Sequence, residues 1–416
     1  MDSLVADIQA GKRPTMADVL DAWGSWCPLL HELEETPQDP EWHAEGNVLI
    51  HTDRVLHETY QLLDGRASHL SEERRLALIL GAIFHDIAKP LTTRTQEIDG
   101  KERIVAPRHA DRGRSYLAPK IFALGLPYPV MYQVLALVGH HHDVGRLVRK
   151  EAPAHKYLRL ARLVDTELVY FLEVADMLGR TCSDLQQQLD MVEMFRMFAE
   201  EYGAWGNTTP HAAWRNTLDE QLADEPEIWR TYVEAKAIWE REAGLIHTPE
   251  EAISRSYNVK EGYSHLVLLC GPSGSGKSTW IQRNLPDYHI VSMDALREQV
   301  TGKASDQSAN GKVRHLAQDA LKEHLRRKDN VIWDATNLRK DFRRPLVDLG
   351  VRYHALVTLV VFHLPEKEIL ARNSQRQRVV PSSVVQKQLR NIEWPYLHEA
   401  HEVMYVDVDG KTLLAS

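Results

Sequence analysis

Two sets of residues in this chain have the types and spacing that chemistry on phosphates requires. The first is GPSGSGKST, residues 271–279, which fits G-x-x-x-x-G-K-[ST] and follows the apolar run HLVLLC directly. Glycines there let the backbone turn its N–H groups toward phosphate oxygens, and the next helix aims its N-terminus at the same anion. Gly271, Ser273, Gly274, Ser275, Gly276, Ser278 and Thr279 form the expected cradle around Lys277. Lys277 would reach the β- and γ-phosphates of ATP or another nucleoside triphosphate, and Ser278 would bind its Mg²⁺. The second set begins with His85 and Asp86, which close the apolar run Leu76 to Phe84, and continues with His51, His109, His140, His141, His142 and Asp176. Adjacent helix residues point about 100° apart, so His85 and Asp86 are not a face-to-face pair. Imidazoles and carboxylates hold divalent metals when several converge, and burying so many ionisable groups is costly unless they pair or bind an ion.

Other residues stand where the first set needs them. Asp294 ends the run HIVSMD, beyond which ligands of open α/β sheets collect, and Arg297 lies one helical turn further on. A carboxylate there can take the proton of an attacking hydroxyl, or it can cap the following helix. Asp334 ends NVIWDAT and could position the metal or its water. Arg372, Arg376 and Arg378 lie in ARNSQRQR ahead of Pro381, and arginine is bidentate toward phosphate, so at least one should close over the γ-phosphoryl group.

The elements that must carry these residues change character along the chain. Residues 15 to 245 repeat apolar positions three and four apart, with no alternating strands, which predicts helices throughout. Beyond them, five short apolar runs (265–270, 289–294, 330–336, 355–364 and 403–408) alternate with helical stretches, which predicts a parallel sheet covered on both faces. The expected domains are an all-α unit at 1–245, a linker at 246–261 and an α/β unit at 262–416. A net charge of −9 argues against non-specific coating of nucleic acid, but residues 303–344 still carry eleven Lys and Arg against six Asp and Glu. Three dispersed cysteines, no secretory start and no apolar run of membrane-span length point to a soluble, cytoplasmic protein without a membrane partner. Trp205, Trp214, Trp229 and Trp239 read as packing anchors.

GPSGSGKST, SMDALR, DATNL and RNSQR together resemble the 5′-hydroxyl polynucleotide kinase module of end-healing enzymes, over residues 262–416. The resemblance implies Lys277 and Ser278 on ATP, Asp294 as general base, Arg297 on the acceptor's phosphate, and Arg376, with Arg372 beside it, on the donor phosphates. The order H…HD…H…HH…D, with FHDIAKP at its centre, resembles the HD phosphohydrolase superfamily, an all-α fold with one or two divalent metals. That resemblance implies His51, His85, Asp86, His109, His140, His141 and Asp176 as ligands, Asp86 bridging, with Lys89 and Arg94 as candidates to hold the phosphate undergoing hydrolysis. The chain as a whole resembles the bacterial HD-Pnk family, an HD domain followed by a P-loop kinase. Such an enzyme phosphorylates 5′-OH ends of single-stranded or nicked RNA or DNA and removes 2′-, 3′- or cyclic phosphates, after which a ligase can act. Two other classes remain: an HD nucleotidase joined to a small-molecule kinase, and a nucleotide-gated scaffold, which the full set of candidate ligands disfavours.

Overall fold

A computed structural model describes residues 2–303, 306 and 308–415. The chain divides into two compact units, Met1–Pro210 and His211–Ser416. In the first, the helix Val48–Asp64 starts where Asn47 accepts the Ile50 N–H at 2.9 Å, and it buries His51, Thr52, Val55, Leu56, Thr59 and Tyr60 on one face. The helix Glu72–Phe84 is buried at every position from Leu76 onward, because the helices Val48–Asp64, Tyr128–His140 and Thr166–Gly179 all pack on it. It ends at Phe84, so His85 and Asp86 leave its last turn surrounded by neighbouring helices. Gly179 lets two of these approach closely: a Cβ there would lie 2.7 Å from Val55 Cγ2 and 3.1 Å from the Val55 backbone nitrogen. That contact brings the helix of Asp176 against the helix of His51.

This unit is not wholly helical as expected. Strands β1 (Arg94–Ile98) and β2 (Lys101–Val105) pair antiparallel around Asp99 and Gly100, both at positive φ (51° and 74°). Two such residues suit a tight hairpin turn. The strands are mostly exposed, so no apolar alternation marked them in the sequence.

The second unit is built on a sheet ordered β4-β5-β3-β6-β7-β8, where β3 is His265–Cys270, β4 His289–Ser292, β5 Val331–Asp334, β6 Leu356–Phe362, β7 Glu402–Val406 and β8 Thr412–Ala415. Strands β3 to β7 run parallel, as expected, and β8 adds an antiparallel edge. Successive connections lead to opposite sides of β3, so the loop beyond Cys270 opens at the switch point where such sheets bind ligands. The unit starts earlier than the expected 262. Trp229, Tyr232, Val233, Ala237, Ile246, Ala252 and Val259 form one core with Leu356 of β6, and residues 249–255 are a helix where a linker was expected. Trp229 is the packing anchor foreseen, at 2% exposure.

Candidate functional site

In the first unit, five elements bring their ionisable side chains to one buried place. Asp86 stands at its centre: Oδ1 lies 3.1 Å from His109 Nε2, and Oδ2 lies 3.2 Å from His85 Nε2 and 3.7 Å from His51 Nε2. One carboxylate therefore faces two groups. On one side are His51, His85 and Asp176, with His51 Nε2 at 2.9 Å from Asp176 Oδ1. On the other, His109 Nε2 lies 3.2 Å from His141 Nε2 and 3.0 Å from His142 Nε2.

The tautomers are set by the backbone. Nδ1 of His85, His109 and His141 each meets the carbonyl three residues earlier, of Ala82 (2.8 Å), Ala106 (2.7 Å) and Val138 (2.8 Å). A carbonyl only accepts, so each Nδ1 carries a proton, and Nε2 is the nitrogen each ring turns to the cluster. Burial pushes His141 down to about 3 and His142 well below the usual histidine range, which keeps both neutral. Lone pairs facing each other at such distances repel unless a cation lies among them. His51 Nε2 and His85 Nε2 are moreover buried without a hydrogen-bond partner among the described residues. The donor set thus fits divalent metal, with imidazole Nε2 atoms turned inward beside ionised carboxylates. Burial opposes the charges of Asp86 and Asp176, but His85 and Lys89 around the first, and Arg180 and His51 around the second, hold both well below the usual carboxylate range. Burial likewise opposes a proton on His85, yet Asp86 beside it raises its pKa.

Of the ligands expected, His51, His85, Asp86, His109, His141 and Asp176 come together, and His140 does not. Its Nδ1 turns to Asp143 Oδ2 at 2.7 Å, and His142 takes the place in the His109 group. The helix Tyr128–His140 ends at His140, and the two residues beyond its end, His141 and His142, are those that reach His109. Lys89 is buried with Nζ 2.7 Å from Asp86 Oδ2 and 2.6 Å from Gln38 Oε1, whereas Arg94 lies on exposed β1 against Gln96.

Sequence reasoning missed a supporting layer. Glu45 Oε1 lies 3.0 Å from His51 Nδ1 and 2.8 Å from His43 Nδ1, a carboxylate placed to orient a metal-facing imidazole. Glu173 groups with His142 and Asp176, and burial raises its pKa well above the usual range. Its place one turn before Asp176 was the signal available. Arg180 reaches Asp176 with Nη2 at 2.6 Å from Oδ2.

In the second unit, the phosphate loop leaves the buried end of β3 and returns as the helix Lys277–Asn284. Gly274 (φ +89°) needs to be glycine twice over, since a Cβ there would also meet Ile369 O at 2.7 Å. Lys277 Nζ folds onto the carbonyls of Gly271 (2.9 Å) and Pro272 (2.8 Å), and burial lowers its pKa to about 8. Asp334, Arg376 and Asp294 all lie within its electrostatic reach. Ser273 donates its N–H to Gln388 Oε1 at 2.8 Å, a contact the sequence did not suggest. Ser278 and Thr279 face outward at the helix start.

The helix Met293–Thr301 is capped by Ser292, which accepts from Ala295 N–H, leaving Asp294 78% exposed in the first turn. Arg297 is buried and holds Asp294 Oδ1 at 2.5 Å. Burial raises the pKa of Asp334, against the pull of Lys277. Arg372 pairs with Glu368 (2.7 Å) and passes over Gly276, while Arg376 and Arg378 are exposed. No helix among the described residues is long and apolar enough to cross a membrane.

Comparisons with known proteins match each unit separately. Residues 48–179 match the HD domain family model, and residues 266–395 match the AAA domain family model. Among solved structures, one from the Pnkp1/Rnl/Hen1 RNA repair complex shares 25% identity at a TM-score of 0.29, over 31% of this chain and 44% of that one. The chain thus spans less than half the length of that relative. A gluconokinase from Sinorhizobium meliloti 1021 shares 23% identity at a TM-score of 0.28, over 36% of this chain and 85% of that one. The chain thus carries an HD domain around the histidine-aspartate cluster, followed by an AAA-type domain around Lys277.

Proposed function

We propose that this chain heals broken nucleic-acid ends, phosphorylating 5′-OH termini with its P-loop domain and removing 2′-, 3′- or 2′,3′-cyclic phosphates with its HD domain, ahead of a ligase. The observation that carries the reading is the Asp294–Arg297 pair: an exposed carboxylate, relieved of capping by Ser292, held by a buried arginine within the field of Lys277. Asp294 takes the proton of the attacking 5′-hydroxyl as its oxygen bonds to the γ-phosphorus and the bridging bond to ADP breaks. Arg297 orients Asp294 and meets the acceptor's phosphate. The loop residues Gly271 to Thr279, Lys277 among them, would bind the triphosphate, Ser278 would hold Mg²⁺, and Arg376 with Arg372 would neutralise charge on the transferred group.

In the HD domain, His51, His85, Asp86 and Asp176 would hold one divalent ion, and Asp86, His109, His141 and His142 a second. Such ions polarise a phosphoryl group and lower the pKa of water. Lys89 adds positive charge beside Asp86, where the phosphate would come to lie.

The test is γ-labelled ATP with Mg²⁺ and a single-stranded 5′-OH oligonucleotide, alongside nucleosides and sugars as competing acceptors, and in parallel an oligonucleotide ending in a 2′,3′-cyclic phosphate. Label should move to the oligonucleotide and be lost with Asp294→Ala, while hydrolysis of the cyclic end is lost only with Asp86→Ala. Transfer solely to small acceptors would overturn the reading.

A further inference from the structure

Beside the HD cluster lies a cavity of about 190 Å³ lined by Trp42, Arg149, Arg180, Cys182, Asp184 and Gln188. An enclosed space of about 150 Å³ already takes a benzene-sized ring. The cavity is tied to the metal-facing residues at two points. Arg180 on its wall reaches Asp176 Oδ2 at 2.6 Å, and Arg180 and Arg149 are the two cations that act on the buried Glu173. Trp42 is followed by His43, which contacts Glu45, which in turn lies against His51.

Trp42 is 38% exposed, unusual for the largest apolar side chain, yet its ring is not loose. Its backbone N–H closes a turn onto Asp39 O at 3.1 Å, and Arg103 of β2 stands over one ring face, 5.1 Å from the centroid. Arg103 is itself held by Asp39 (3.2 Å) and Glu41, so that face of the indole is backed. The lining also carries hydrogen-bonding groups: Gln188 donates from Nε2 to Asp184 Oδ2 at 2.7 Å. An aromatic face, polar groups and two arginines around one ring-sized space make a composition suited to a nucleobase and its flanking phosphate, since bases stack on aromatic side chains whatever their sequence.

We propose that this cavity receives the terminal nucleoside of the nucleic acid whose end phosphate the HD cluster hydrolyses, with the base stacked on Trp42 and the adjoining phosphate met by Arg149 and Arg180. The inference rests on the HD activity proposed above and names the part of the substrate that its site recognises. It requires a base, not merely a phosphate, for tight binding.

The experiment compares kcat and KM of the full chain, loaded with Mn²⁺, on two oligonucleotides with the same terminal 2′,3′-cyclic phosphate, one bearing its last base and one abasic there. Wild-type protein should show a KM about tenfold lower for the base-bearing end, in line with the stacking of one base on an aromatic ring. Trp42→Ala should erase that difference with kcat unchanged, and Trp42→Phe should restore most of it. A KM raised equally on both ends by Trp42→Ala, or no change on either, overturns the proposal while leaving the HD activity standing. Wild-type protein that hydrolyses neither end removes both the activity and this site.

Discussion

Lys277 and His142 show how much a single side chain's surroundings decide. With burial lowering the Lys277 ammonium to about 8, the free protein loses that charge above pH 8. A bound triphosphate favours the protonated form, so binding must take up a proton in that range. Titration of nucleotide in two buffers of different ionisation enthalpy should therefore give proton uptake near zero at pH 7, approaching one at pH 9, and none in Lys277→Met. In the HD cluster, His142 stands 3.0 Å from His109 Nε2 while His140 is committed to Asp143. His142→Ala should weaken Mn²⁺ or Zn²⁺ binding, measured by metal titration, by about tenfold or more, and His140→Gln should change it far less. Six of the residues that the sequence suggests as ligands stand together in the structure, their types being costly to bury apart from one another. His140, also expected there, turns to Asp143 instead, because where the helix Tyr128–His140 ends decides which members of HHH reach His109.

At the scale of elements, the helices and the five parallel strands were legible because each buries apolar residues with the period of its own geometry. The β1–β2 hairpin was not, being polar on both faces and dependent on the positive φ of Asp99 and Gly100. The phosphate loop is the element whose backbone matters most. At Gly274, a methyl would meet the Ile369 carbonyl at 2.7 Å on top of an unfavourable φ of +89°. Gly274→Ala should cost roughly 1–3 kcal/mol in urea unfolding and abolish nucleotide binding. Gly311→Ala, in a helix with open space at its Cβ, should be stabilising by about 0.5–1 kcal/mol and leave binding intact.

For the whole molecule, the division between units decides what can fold alone. Trp229, Tyr232, Val233 and Val259 share a core with Leu356, so a chain cut at the expected boundary would leave this face of the second unit bare. Expressed by itself, the segment 211–416 should be soluble, unfold cooperatively and bind nucleotide, whereas 262–416 should aggregate or melt at least 10 °C lower, following the loss of several buried aromatic and aliphatic side chains worth about 1.5–3 kcal/mol each. Circular dichroism and nucleotide titration of the two segments check this.

The amino-acid sequence alone determined that this chain pairs a helical, histidine-rich unit with a P-loop sheet, because period, glycine spacing and buried ionisable residues are local properties. The tertiary structure decided the rest. Whether His140 or His142 turns inward, whether Asp294 caps a helix, where Glu45 and Glu173 stand, and to which core residues 211–261 belong all depend on partners distant in the chain, and direction and partnership in space are not properties of a residue's neighbours in sequence.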